Sequence, residues 1–481
     1  MGDVANSSAH RQDPAPQRGA ASCRGLGAWA AEIGARGYRF LPPTLLVAMS
    51  LLAATLGAAA ADGGQAPLSV AQAESAQALS WQFDWRGWDG LSMELVKPTQ
   101  FAVIRPPLRL DQVKLSATLG ARIEIDAAAF DTGGTLQGFD NGVELRRARI
   151  RLAGEAVLGM PFRYKVEFGY NPGQFALEDF YVAIPELPWI GMLQFGQFRP
   201  AQGLQLLTSS WDIELMEPAA PLQALGPKSS PGLRLGRTVW GGRATWSLGA
   251  YGSGPGAGEY GSTLEDMTSA VARLTWLAID GIDDERAASN RYLHLGLSGT
   301  RQRSNSGEVR YRSRPESYIA PYVVDTGAIA SDKAHTLGAE LLWVDGPFSA
   351  QGELLQAVVQ QTGGARLVFG GAYAMASVAL TGESRAYHRD SGTLARLRPL
   401  RNFEFGPEGG WGAIEAALRF SYTDLNDGAI AGGRLSLWMA GLDWTFRPQL
   451  QWMINLGLGQ VQGGSAAGRM AIVQTRFGIY F

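Results

Sequence analysis

From Leu119 to Phe481 the chain returns again and again to one pattern, a strict alternation of apolar with charged or polar side chains. Leu119, Ala121, Ile123 and Ile125 alternate with Arg122, Glu124 and Asp126, and Ala148, Ile150 and Leu152 alternate with Arg147, Arg149 and Arg151. Tyr164, Val166 and Phe168 stand against Arg163, Lys165 and Glu167. Successive side chains of a strand point to opposite faces, so each segment presents one apolar face and one charged face. The same holds for Ala244, Trp246 and Leu248 against Arg243, Thr245 and Ser247, and for Ala272, Leu274 and Trp276 against Arg273 and Thr275. Further on, Ile414 to Tyr422 oppose Glu415, Arg419, Ser421 and Thr423, and Leu450 to Leu458 oppose Gln451, Met453 and Asn455. Between Leu435 and Phe446 the two halves prefer different faces, which predicts a bulge or an entry into the girdle zone.

Mean hydropathy is -0.06, a soluble-looking value, yet lipid-facing and lumen-facing residues of a transmembrane barrel cancel in any average. Past residue 61 there is no apolar run of the 18 or more residues that a spanning helix needs. Lys or Arg facing lipid at the bilayer midplane costs about 2–4 kcal/mol, so the charged face of each strand is expected inside a barrel. Gly at 62 residues, Trp at 14, Tyr at 14 and Phe at 19 supply its turns and interfacial girdles. Roughly 420 residues at about 10 per strand allow well over a dozen strands, enough to leave a channel.

Arg36 and Arg39 precede an apolar stretch from Leu41 to Leu56, and Ala59 and Ala61 offer a small-residue cleavage site. Residues 1–61 are therefore expected to be a removed leader, with residues 62–481 forming the barrel. Cys23, the single cysteine, lies in the leader, which leaves no thiolate metal site or disulfide for the mature chain. The net charge of -2 argues against a nucleic-acid partner. His294, His335 and His388 lack zinc spacing, and no cofactor is implied. His294 lies four residues from Ser298, about 13 Å along a strand, too far for a nucleophile and base without another strand.

The last residues alternate too, with Val473, Thr475, Phe477 and Ile479 on one face and Gln474, Arg476, Gly478 and Tyr480 on the other, ending at Phe481. This ending resembles the closing strand of bacterial outer-membrane barrels, whose terminal aromatic, here Phe481, is the signal read by the barrel assembly machinery.

Several segments carry a more specific likeness: Glu144-Leu145-Arg146-Arg147-Ala148-Arg149, Leu177-Glu178-Asp179-Phe180, Phe195-Gly196-Gln197-Phe198-Arg199-Pro200, Leu215-Met216-Glu217 and Arg314-Pro315-Glu316-Ser317. Leu380-Thr381-Gly382-Glu383-Ser384-Arg385 and Phe420-Ser421-Tyr422-Thr423-Asp424 continue it. Together they resemble the phosphate-selective porin O/P family of Gram-negative outer membranes. The resemblance implies an all-β transmembrane antiparallel barrel of 16 strands, homotrimeric, with a long third loop folded into the lumen. It further implies selectivity for phosphate or polyphosphate through lumenal arginines and a lysine cluster at the constriction. The corresponding segment here runs from Ala201 to Arg237, and its basic residues are Lys228, Arg234 and Arg237. After Met216-Glu217, Pro218 stands where the family has an arginine, so the basic constriction is thin.

Arg122, Arg147, Arg149, Arg151, Arg163, Lys165, Arg243 and Arg273 are the inward cations that would line an anion path, against Glu124, Asp126, Glu155 and Glu167 over the same strands. A guanidinium stays charged at any physiological pH and binds oxyanions in a bidentate way. Two further basic runs, Arg301 to Arg314 and Arg385 to Arg401, are expected on extracellular loops, where they would draw small anions such as phosphate to the mouth or hold lipopolysaccharide phosphates. A general porin, an outer-membrane hydrolase and an anchoring barrel with a plugged lumen are the competing readings.

Overall fold

The computed structural model of the protein describes residues 80–85, 91–97, 114–157, 160–171, 174–252, 267–283, 289–406 and 409–481. The leader, its cleavage site and Cys23 lie outside them.

Sixteen antiparallel strands close into one barrel: β1 (Lys114–Thr132), β2 (Gly142–Val157), β3 (Pro161–Asn171), β4 (Gln174–Leu187), β5 (Gly191–Phe198), β6 (Ser230–Val239), β7 (Ala244–Tyr251) and β8 (Met267–Gly281), then β9 (Arg291–Ser304), β10 (Lys333–Asp345), β11 (Phe348–Gln360), β12 (Arg366–Ala379), β13 (Ala413–Asp427), β14 (Ile430–Arg447), β15 (Leu450–Gln462) and β16 (Gly468–Tyr480). β16 pairs with β1, Tyr480 opposite Arg122 and Met470 opposite Thr132. Phe481 extends the seam, donating to the Ala121 carbonyl at 2.9 Å and accepting from Ala121 N–H at 2.6 Å. Closure leaves no unpaired edge in lipid. A hairpin of Ser80–Trp85 and Leu91–Lys97 adds to β1, with Leu91 to Glu94 opposite Leu119 to Ser116.

The alternation sorts as expected. Ile123, Ile150, Phe168, Leu274, Leu418 and Leu456 are exposed on the outside, whereas Arg122, Glu124, Asp126, Arg273, Arg419 and Arg476 are buried inside. On β2 a bulge sets Arg146 as an extra residue where Glu124 and Ile125 face Arg147 and Leu145. Arg146 and Arg147 are consequently both fully buried.

Among the described residues, three connections are long. The third loop (199–229) carries α1 (Leu204–Leu207) and α2 (Ala220–Leu225). With the 305–332 connection it fills one side of the lumen. There Leu206, Leu215 and Leu222 of the loop and Tyr311 and Val324 of the 305–332 connection form a core with inward Leu355, Phe369, Leu435, Leu437 and Met439. This core accounts for the change of pattern between Leu435 and Phe446. Pairing runs unbroken from Arg434 to Thr445, with an irregularity only at Thr445/Arg447, and both faces are apolar because one meets lipid and the other meets the loops.

Two further expectations change. Arg234 and Arg237 belong to β6, outside the third loop. The third long connection (380–412) follows β12 and so leaves the barrel at the same end as Phe481, opposite the third loop. The run Arg385 to Arg401 is therefore at the chain-terminus end.

Candidate functional site

The third loop is fastened to the wall by buried carboxylates. Glu217 accepts from Arg146 Nε at 2.8 Å and from Arg476 Nη2 at 2.6 Å, while Arg476 Nη1 donates to the Met216 carbonyl at 2.5 Å. Arg476 also grips Asp126 with two bonds of 2.7 Å. Burial alone would raise the Glu217 carboxyl, but Arg146, Arg147 and Arg476 overcome it and hold the group down at about 2. Glu316 of the 305–332 connection accepts from Ala220 N–H at 2.9 Å, Ser421 Oγ at 2.5 Å and Arg419 Nε at 3.1 Å. Glu353 of β11 accepts from Leu204 N–H and Gln205 N–H, each at 2.8 Å. A buried charge is tolerable only when paired and hydrogen-bonded. Glu217 and Glu316 meet that condition with arginine partners, whereas Glu353 is held by hydrogen bonds from the loop backbone and the Tyr373 hydroxyl.

Opposite the core a cavity of about 1210 Å³ stays open, bounded by β1–β4, the third loop and the 380–412 connection. Among the described residues, its lining carries seven cations, Arg122, Arg149, Arg151, Lys165, Arg199, Arg396 and Arg398, against five carboxylates, Glu167, Glu178, Asp179, Asp212 and Asp283. Several are paired. Arg149 donates to Glu167 at 3.2 Å, Lys165 lies 2.7 Å from Asp179 and 3.0 Å from Glu167, and Arg396 donates to Asp212 at 3.1 Å. Arg151 and Arg398 have no carboxylate within 4 Å among the described residues.

Where the third loop meets the 380–412 connection, cations and rings stack in turn. Arg122 lies 5.1 Å from the Trp211 ring, Arg396 lies 5.0 Å from both Trp211 and Tyr480, and Arg151 lies 5.3 Å from Tyr480. Arg151 Nη2 also donates to the Tyr480 hydroxyl. Each ring face is electron-rich, so the two rings separate three guanidiniums that would otherwise repel.

Of the residues picked from sequence, Arg122, Arg149, Arg151 and Lys165 come together around the cavity. Arg147 does not, because it is sealed against Glu124 at 2.6 Å. Arg273 is buried in the opposite half, held by Glu340 at 2.9 Å and by the Ser391 and Gly392 carbonyls at 2.8 Å. Arg163 pairs with Glu155 at 2.9 Å, both half-exposed, and Arg243 caps the Leu277 and Ala278 carbonyls at 3.3 Å. Lys228 is buried at the end of the third loop. Arg234 points inward onto Gln194 at 2.5 Å, whereas Arg237 is exposed and donates to the Trp189 carbonyl at 3.2 Å, on the outward parity of Leu233. His294 sits between Tyr387 at 2.7 Å and Glu340 at 3.3 Å, fully buried.

The sequence reading missed Arg146, Arg199 and Arg476 as functional positions, and it expected Arg396 and Arg398 on an extracellular loop rather than beside the cavity. Arg476 and Arg146 were legible only as charges on strands, since their partner Glu217 lies in a loop with no period. Counting strands back from Phe481 would have found Arg396 and Arg398, because every second connection must return to the terminus end.

A family model described as phosphate-selective porin O and P matches residues 118–481. An uncharacterised protein of Caulobacter vibrioides is 29% identical over 361 residues, covering 72% of this chain and 68% of its own. Porin O of Pseudomonas aeruginosa is 24% identical over 333 residues, covering 61% of this chain and 70% of its own. Among solved structures, an anion-selective porin from Comamonas acidovorans shares 13% identity with a TM-score of 0.45, covering 76% of this chain and 100% of its own. A loop-deletion mutant of the Vibrio cholerae outer-membrane protein OmpT shares 10% with a TM-score of 0.47, covering 76% and 99%. With the family model spanning the barrel from β1 to the terminal residue, this chain belongs to the phosphate-selective porin O and P family and forms an outer-membrane porin channel.

Proposed function

We propose that the channel prefers anions, and that its path runs along the β1–β4 wall past Arg122, Arg149, Arg151, Lys165, Arg199, Arg396 and Arg398. The observation that carries this reading is the excess of cations around the cavity, with Arg151 and Arg398 not neutralised by any carboxylate among the described residues. An oxyanion that sheds water at the stack can replace it with guanidinium N–H groups. Several moderate sites in sequence release an ion more readily than one deep site, as conduction requires. Phosphate or polyphosphate is the anion class that the family suggests. Phosphate added to a chloride-filled bilayer should reduce the chloride current, and an unchanged current would leave an anion channel without phosphate specificity. A general porin is the second reading, favoured by the pairing of Lys165 with two carboxylates.

We also propose how the chain is matured and assembled. The mature chain begins near Asp62, which amino-terminal sequencing of the membrane form checks. Phe481, whose backbone extends the β1–β16 seam, is read by the assembly machinery during insertion, so Phe481→Ala should lower the inserted yield more than the heat resistance of barrels that do form. The channel assembles as a homotrimer, and native mass measurement in detergent showing monomers alone would refute that. Outer-membrane lipid and lipopolysaccharide surround it.

A further inference from the structure

The 380–412 connection does two different things with its two halves. Its first half enters the lumen, where Arg385 pairs with Glu415 and Arg396 packs between Trp211 and Tyr480. Its second half turns outside. Phe403 N–H donates to the Phe446 carbonyl at 2.8 Å, and Trp444 Nε1 donates to the Trp411 carbonyl at 2.7 Å. The Phe403 ring meets Trp444 at 5.6 Å and Phe446 at 5.5 Å, both in edge contact. Trp444 has the outward parity of Trp438 and Leu442, so the Phe403 ring lies on the outer wall of the barrel.

Phe405 packs on Phe403 at 5.0 Å yet is 95% exposed, and Trp411 is 69% exposed. Such rings gain nothing by facing water. The patch continues without a break into exposed Trp452, Leu442 and Phe477, which belong to the lipid-facing belt. Arg447, 3.8 Å from Glu404, marks a charged border beside it. Aromatic rings flanked by charged groups are the residues that settle at the boundary between headgroups and acyl chains.

We propose that Phe405 and Trp411 form a membrane-interface anchor, seated in the headgroup boundary of the bilayer leaflet at the Phe481 end and fixed to β14 through Phe403. The occupant of the patch is lipid. Because the same connection carries Arg396, seating its outer half in the membrane limits how far its inner half can withdraw from the cavity.

The test uses Phe405→Cys in a Cys23→Ser background, labelled with an environment-sensitive fluorophore and reconstituted in nanodiscs. Ser306→Cys, exposed on the 305–332 connection, is the water-exposed control, and heat-modifiable gel mobility verifies that both variants are folded. The anchor requires most of the Phe405 emission to be lost in lipids brominated near the glycerol, with iodide quenching well below that of the control. Iodide quenching equal to the control overturns the proposal. Protection from both quenchers, with Phe405→Cys forming disulfide-linked pairs of chains, overturns it in favour of a second copy of the protein as the occupant.

Discussion

The two halves of the lumen are built from the same alternating strands and do opposite things. Along β11–β15 the third loop and the 305–332 connection pack against inward Leu355, Phe369, Leu435, Leu437 and Met439 and are held there by inward Glu353 and Arg419. Along β1–β4 the inward residues are Arg122, Arg149, Arg151, Lys165, Glu167 and Asp179, and the cavity stays open. The difference shows that inward-facing residues are not uniformly pore-lining. Where they are apolar they hold a plug, and where they are charged they are left for the permeant. Buried charges such as Arg147, Glu124 and Arg476 form a third class at the border, tying the plug to the open wall.

That contrast breaks most severely if the border fails. Glu217→Ala removes the acceptor shared by Arg146 and Arg476 and leaves both guanidiniums buried with less compensation, at a cost of about 3–5 kcal/mol. The third loop should come loose, seen as a lower thermal transition and as large open-channel noise, while a quiet channel of wild-type heat resistance would remove Glu217 from this role. Acid should do the same by degrees. Because the folded Glu217 carboxyl lies near 2, below its ordinary 4.5, its stabilising contribution is complete above the ordinary value and fades as pH falls toward 2. Current noise measured across that window should rise as pH falls.

A somewhat smaller loss is expected on the plug side. Leu222→Ala opens a cavity at a fully buried position of α2, worth about 2–5 kcal/mol, and should destabilise loop packing without altering the sign of ion selectivity. Arg151→Glu should do the converse, abolishing or reversing selectivity by a change of two charges at the open wall while leaving thermal stability close to wild type. If Arg273→Met, in the half away from the cavity, shifts selectivity as much as Arg151→Glu, the division into halves is wrong. The smallest effect is expected at Arg312, which stacks on Tyr322 at 4.1 Å at the far end, where Arg312→Glu should barely move the reversal potential.

The barrel itself was legible in the sequence because a period of two with one charged face has few other solutions near lipid, and β1, β2, β3, β13 and β15 sort their faces as the alternation predicts. The β14 region was misread because its inward face is apolar, a pattern that alternation cannot separate from a change of face. The site was half legible. Arg122, Arg149, Arg151 and Lys165 declare themselves by strand parity, but whether a lumenal arginine is free or sealed depends on which loop lies over it. Arg147 and Arg149 are two residues apart on one face, and only the bulge at Arg146 and the position of Glu217 separate a structural residue from one at the cavity. Arg396 comes from an aperiodic connection, and nothing local in its sequence says that it turns inward.

The central claim is that the open wall gives the channel its preference, and the zero-current reversal potential of the unmodified channel under a potassium chloride gradient tests it most directly. Chloride should pass in preference to potassium at low salt, and the preference should shrink as salt rises, since screening limits the lumenal field to about 10 Å at 0.1 M. A reversal potential of the opposite sign, showing preference for potassium, would contradict the account.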